Sequence, residues 1–186
     1  MGTESAPRTG PLEDIRVIEM GTMIAGPFCG QLLAEHGAEV IKLEQPGIGD
    51  PMREWGKEKP HGKALFWPVL ARNKLSATLN AREADGQALV KRLVADADIL
   101  LENFRPGTME RWGLSYEDLS AINPKLIMIR VSGFGQTGPY AKRPGFDQIA
   151  QGMGGLMSIT GEPGRGPMRV GIPIADLCTG LFTGLG

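Results

Sequence analysis

Cysteine and histidine are scarce in this 186-residue chain, with two of each. Cys29 and Cys178 have no metal-ligand spacing, and two cysteines are too few for a disulfide framework, so a reducing, cytoplasmic setting is expected. His36 and His61 each stand beside a glycine without a carboxylate or cysteine at ligand distance in sequence, which argues against a zinc site or a histidine-based triad. An excess of charge of either sign is also lacking: 20 Lys and Arg face 21 Asp and Glu. No global field therefore recruits nucleic acid or an anionic membrane, and any anion site must be local. No apolar run reaches membrane-spanning length, and the first ten residues lack the apolar stretch of a signal peptide. The organisation expected is a flexible tail over 1–10 followed by one unit over 11–186, read as a soluble protein.

Nucleotide fingerprints are missing as well. The segment Gly21-Thr22-Met23-Ile24-Ala25-Gly26-Pro27 is not followed by the Lys-Ser/Thr pair that a P-loop needs for phosphate charge. It is not Gly-x-Gly-x-x-Gly either, although Glu44 stands where a dinucleotide fold holds ribose, so an NAD-binding oxidoreductase domain stays open as an alternative. A tight strand-to-helix turn with Pro27 in the first helical turn explains the same residues.

What is abundant is glycine, at 27, and proline, at 14, distributed between apolar segments without a repeat. Residues 15–20 read as a strand, 28–36 as a helix stopped by Gly37, and 38–43 as a second strand, which together make a β-α-β unit. The stretch 45–62 is long, irregular and rich in Gly, Pro and charge, which suggests a functional excursion. Helical material is expected around 65–70, a strand over 76–80, and a helix over 83–95 with Leu89, Val90, Leu93 and Val94 on one face. A strand over 98–101 follows. Ser115 to Asp118 matches a capping box opening a short helix, which stops at Asn123-Pro124 before a strand over 125–131. A helix over 146–157 is expected despite Gly152, Gly154 and Gly155, and 181–186 reads as the start of a buried helix that stops without a cap, suggesting a truncated chain. This alternation implies an α/β, Rossmann-like doubly wound parallel sheet, whose ligands bind in the loops after the strands, here those following Met20, Leu43, Leu101 and Val131.

Two carboxylates stand out. Asp176 lies in Ile172-Pro173-Ile174-Ala175-Asp176-Leu177, otherwise small and apolar, where it is either a helix cap or a group held for chemistry. Asp147 opens a helix in Pro144-Gly145-Phe146-Asp147 and reads equally as its N-cap. Basic residues are scattered through the middle of the chain, and Asn103-Phe104-Arg105-Pro106-Gly107 joins an aromatic platform, a cation and helix N–H groups in one strand-end loop suited to a nucleotide-like ligand.

Several ordered segments resemble the family III CoA-transferases, the group containing formyl-CoA transferase and the carnitine CoA-transferases. They include Ala25-Gly26-Pro27, residues 37–44, Gly49-Asp50, Arg72-Asn73-Lys74, residues 102–107, residues 132–139 and Pro173-Ile174-Ala175-Asp176. The resemblance implies the N-terminal part of a Rossmann-like large domain, with the small domain absent from this chain. It implies Asp176 as a covalent nucleophile that passes through a mixed anhydride and an aspartyl-CoA thioester, with no metal or prosthetic group and coenzyme A or acyl-CoA as substrate. By the same resemblance Ala25, Leu79, Arg82, Asn103, Phe104 and Arg111 match CoA-contacting positions, with Lys142 and Arg143 as phosphate neighbours. An interlocked homodimer, no nucleic acid and no membrane are implied, and the isolated fragment is expected to be inactive. Ile24 replaces a glutamine near the reacting centre of formyl-CoA transferase, and Gln45 an arginine common beside the adenine end, which weighs against formate and oxalate. The related acyl-CoA racemases use a histidine where Phe146 stands, and phenylalanine exchanges no proton. A non-catalytic CoA-binding module is the remaining alternative.

Overall fold

The computed structural model describes residues 9–186. The expected flexible tail therefore lies outside the described residues over 1–8. At 9–10 the chain is already engaged, since a Cβ on Gly10 would strike the His36 carbonyl and Leu12 N–H donates to that same oxygen at 3.0 Å.

Five strands, β1 (Arg16–Glu19), β2 (Glu39–Glu44), β3 (Lys74–Thr78), β4 (Ile99–Glu102) and β5 (Ile127–Arg130), form one sheet in the order β3-β2-β1-β4-β5. Every pair is parallel, with Val17 opposite both Val40 and Ile99. β1, β2 and β4 are short and largely buried, and the helices that follow strands cover the faces of the parallel sheet.

Alternation along the strands divides the core. Val17, Val40 and Leu101 pack with Ala25, Cys29, Leu33 and Ala34 of α1 (Ala25–Glu35). On the other face, Ile18, Leu43 and Leu100 pack with Val90 and Val94 of α3 (Ala84–Val94), Met109 of α4 (Thr108–Arg111) and Leu119 of α5 (Tyr116–Ser120). Val17, Ile18, Leu100 and Leu101 are fully buried, and each contributes about 1.5–3 kcal/mol by leaving water. The α3 stripe is Gly86, Val90 and Val94 at successive i+4 steps; Leu89, expected on this face, is 44 % exposed because it lies one residue off that line.

The excursion after β2 carries two short 3-10 turns, Pro51–Arg53 and Pro60–Gly62, and leads into α2 (Phe66–Leu70). The capping box forms as read, with Ser115 Oγ accepting from Asp118 N–H and the Asp118 carboxylate accepting from Ser115 N–H. The helix expected over 146–157 is broken: α6 (Asp147–Met153) ends at Gly154, and Gly155, at φ +84°, starts a separate 3-10 turn.

The last helix, α7 (Ile174–Leu185), lies along α1. Gly180 makes the approach close, since a Cβ there would stand 2.8 Å from the Ala25 carbonyl oxygen and 3.0 Å from the Phe28 ring. The expected burial of its C-terminal stretch does not hold within this chain, where Leu181, Phe182 and Leu185 are 42, 71 and 76 % exposed. No helix of the described residues is long and apolar enough to cross a membrane.

Candidate active site at the strand ends

In this strand order the connections from β1 and β4 diverge to opposite sides, and their carboxyl ends flank a crevice. Asn103 staples that point. Its side-chain oxygen accepts from Thr22 N–H at 2.8 Å and its amide donates to the Thr22 carbonyl at 2.7 Å. Gly21 and Gly26 are small because the turn presses on this side chain: a Cβ on either would lie within 3.4 Å of Asn103 atoms. The close-packed turn read from the sequence is therefore present.

A buried charge network holds the same turn from below. Lys42 Nζ contacts Glu19 Oε1 at 2.9 Å, Asp50 Oδ2 at 2.9 Å and the Gly21 carbonyl at 2.7 Å. Lys74 Nζ pairs with Glu19 Oε2 at 2.6 Å and donates to the Pro27 carbonyl at 2.6 Å. Two cations thus balance two carboxylates, all four side chains being almost wholly shielded from water. Burial alone would push the Lys42 ammonium down, but Glu19 and Asp50 outweigh it and hold it above the ordinary lysine value. Asp50 Oδ1 accepts from Met52 N–H at 2.9 Å and from Met23 N–H at 3.3 Å, which ties the excursion after β2 to the turn after β1.

Glu44 is committed in a different way. Its four acceptor positions take Arg53 Nε and Nη2, Ser76 Oγ and Asp50 N–H, at 2.7–2.9 Å. Burial raises its carboxyl, and the bonds from Arg53, Ser76 and Asp50 reverse this and bring it down to about 2. No oxygen is left for a ribose, so the dinucleotide role considered for Glu44 is not available.

Two cavities adjoin at Thr22 and Phe104. The first, about 220 Å³, is lined by the Thr22–Ala25 turn, the loop after β4, the Ser132-Gly133 and Arg143–Phe146 segments, and Ala175, Asp176 and Thr179 of α7. The second, about 350 Å³, lies between the ends of β1, β2 and β3 and includes Leu79, Arg82 and Trp112. Phe104 is fixed as a platform between them: its ring meets Trp112 edge-on with centroids 5.1 Å apart, and its N–H donates to Glu102 Oε2 at 2.6 Å. Glu102 is anchored in turn by Arg130.

Asp176 is half-buried in the first cavity, in the opening turn of α7. Burial first, and the charge of Asp147 second, push its carboxyl up from 3.8 to about 6. Neither aspartate caps its own helix. The N-cap positions are Phe146 and Pro173, and neither makes a side-chain cap bond. Asp147 instead caps the other helix, its Oδ1 accepting from Ala175 N–H at 2.8 Å and Asp176 N–H at 3.4 Å.

Of the positions singled out in the sequence, Ala25, Asn103, Phe104, Arg143 and Asp176 converge on the first cavity, and Leu79, Arg82 and Phe104 on the second. Arg111 and Lys142 line neither; the Arg111 guanidinium donates to Thr108 Oγ1 at 2.9 Å, and Lys142 is exposed on the turn before α6. The Asn103 amide is spent on Thr22, so its part is to shape the wall. Arg143 lies over the Tyr140 ring at 4.2 Å, and neither it nor Arg105 forms an ion pair among the described residues. Sequence reasoning missed Thr22, the Glu19–Lys42–Lys74–Asp50 network and Gln151. A charged residue inside the apolar strand runs at Glu19 and Lys42 was the available signal. No cluster of metal-binding side chains occurs among the described residues.

The profile of CoA-transferase family III matches residues 12–186. Succinyl-CoA–D-citramalate CoA-transferase of Chloroflexus aurantiacus is 60 % identical over the whole chain, which spans 46 % of that relative. Succinate–glutarate CoA-transferase of Agrobacterium fabrum is 46 % identical over 97 % of the chain and 47 % of the relative. A CAIB/BAIF family protein from Brucella suis has the same fold, with a TM-score of 0.89 and 46 % identity over 95 % of this chain and 47 % of that one. The chain thus spans about half the length of the relatives it matches.

Proposed function

Because the chain belongs to CoA-transferase family III, we propose that it is the CoA-binding, nucleophile-bearing portion of an enzyme that moves CoA from an acyl-CoA thioester to a carboxylic acid through Asp176. The observation that carries this is a half-buried carboxylate, lifted to about 6, opening on a groove that continues past an aromatic platform to Leu79 and Arg82.

The chemistry balances without a redox partner. An Asp176 carboxylate oxygen attacks the donor thioester carbonyl, the C–S bond breaks, and CoA leaves as its thiolate with a mixed anhydride formed. The thiolate attacks the Asp176 carbonyl carbon, the anhydride C–O bond breaks, and the donor acid departs as carboxylate. An acceptor carboxylate then attacks the aspartyl thioester and expels the thiolate. Attack of that thiolate on the acceptor acyl carbon gives the new acyl-CoA and regenerates Asp176. Covalent catalysis divides one difficult exchange into easier acyl substitutions, each at a single carbonyl carbon. A carboxylate near 6 remains about nine-tenths ionised at pH 7 and is more basic than an exposed aspartate. A narrow site limits hydrolysis of the anhydride.

The relatives' names carry short dicarboxylates, and the same class suits this site. Arg105 and Arg143, which form no ion pair among the described residues and line the Asp176 cavity, can meet a second carboxylate. We extend the proposal to a homodimer, supported by the exposed apolar side chains of α7, and to a cytoplasmic setting, supported by two free cysteines. Phe146 at the cavity wall offers no acid or base for racemisation.

Steady-state kinetics on the full-length protein test this reading. With succinyl-CoA as donor and citramalate, malate or glutarate as acceptors, double-reciprocal lines should be parallel, as departure of the donor acid before the acceptor binds requires. Intersecting lines, or no transfer to any dicarboxylate, would oppose it.

A further inference from the structure

The segment that brings Asp176 into the cavity is held by two side chains of α6. Gln151 is 1 % exposed; its side-chain oxygen accepts from Val170 N–H at 2.8 Å, while its amide donates to the Ile172 carbonyl at 3.3 Å and to Asp147 Oδ2 at 2.6 Å. Asp147 Oδ1 takes the Ala175 and Asp176 N–H groups. One i, i+4 pair on α6 therefore grips residues 170, 172, 175 and 176. The chain before α7 cannot do this for itself, because Pro173 at the N-cap has no side-chain acceptor.

We propose that Asp147, oriented by Gln151, is a positioning residue for Asp176: it caps α7 from the neighbouring helix, fixes the backbone from which Asp176 projects, and occupies the N-terminal N–H groups that would otherwise serve Asp176. A carboxylate in the first turn of a helix of this length is ordinarily stabilised by the N-terminal end of the helix dipole. Here a second carboxylate already sits on that end. The charged groups around Asp176 are Asp147 from α6, Arg143 from the segment before α6 and Arg105 from the loop after β4; the Thr22–Ala25 turn brings none, and on α7 itself the other titratable group is Cys178. Asp147 is the neighbouring charge that acts on Asp176, in the upward direction and behind burial. The clamp thus makes a carboxylate more basic while denying it a cap. Its value for transfer rests on the nucleophilic reading of Asp176, whereas the clamp itself does not.

The test is a titration of the protein labelled with 13C at aspartate side-chain carboxyls, with the Asp176 resonance assigned by its loss in Asp176→Asn. In the unaltered protein that resonance should titrate near 6. In Asp147→Asn, which keeps an oxygen acceptor and removes the charge, it should move down toward the ordinary aspartate range, with Asp147→Glu restoring the high midpoint. An unchanged midpoint in Asp147→Asn overturns the proposal. Should that variant not fold, Gln151→Met decides: amide exchange at Ala175 and Asp176 should quicken at least tenfold, and unchanged protection there overturns it. A shifted titration in a protein that transfers no CoA would leave the clamp standing and refute the transferase reading.

Discussion

Replacing Lys42 by methionine tests the electrostatic frame beneath the turn after β1. Methionine keeps much of the lysine stem and removes a charge that contacts Glu19, Asp50 and the Gly21 carbonyl, all within 2.9 Å. Lys74 still answers Glu19, so the uncompensated group is Asp50, which is 2 % exposed. Breaking a buried pair by removing one partner costs about 3–5 kcal/mol, because the other charge is left without water or counter-charge. Against a typical domain stability of about 5–15 kcal/mol this is about a fifth or more of the total. Urea unfolding followed by circular dichroism should give a lower midpoint at pH 7. Adding Asp50→Asn should recover part of the loss, giving a positive coupling in the double-mutant cycle. A Lys42→Met variant within about 1 kcal/mol of the parent at pH 7, or no recovery on adding Asp50→Asn, would refute the argument.

Gly180→Ala places a Cβ 2.8 Å from the Ala25 carbonyl, and thermal or urea unfolding should show about 1–3 kcal/mol of destabilisation as α7 is pushed from α1. Arg82→Ala removes an exposed cation from the second cavity, so calorimetry should find CoA binding roughly tenfold weaker or more, with unfolding unchanged. Because the Asp176 carboxyl is raised to about 6 in the folded state, the rate of acyl capture should climb with pH to a plateau above about 7. The same shift withdraws stability as pH rises from about 4 to about 6, which a pH series of unfolding midpoints can measure in parent and Asp176→Asn.

How much was legible in the sequence depended on the range of the interaction. The β-branched runs around Val17, Val40 and Ile99 revealed the parallel sheet, since fully buried strands are nearly continuous in apolar residues. The helix was read from Phe28 and α1 begins three residues earlier, at Ala25; Pro27 sits in its first turn as read, where N–H groups are unpaired anyway, and Gly26 joins it there. The third strand was expected at 76–80 and runs over Lys74–Thr78; Lys74 is buried at its start by pairing with Glu19, a partner distant in sequence. Asp176 stood out by its apolar surroundings and does reach a cavity, half-buried. Asp147 drew attention for the wrong bond: its partners lie 28 and 29 residues away, a distance that no local capping pattern reports. Arg111 and Lys142, named from the family resemblance, line neither cavity: the Arg111 guanidinium donates to Thr108, and Lys142 is exposed.

Peptide mapping by mass spectrometry, after mixing the full-length protein with succinyl-CoA and quenching in acid, tests Asp176 most directly. The account predicts that CoA becomes covalently attached to the peptide containing Asp176, that a dicarboxylate acceptor discharges it, and that Asp176→Asn abolishes it. An adduct on another residue, or one that persists in Asp176→Asn, would contradict the assignment of Asp176 as the group that carries CoA.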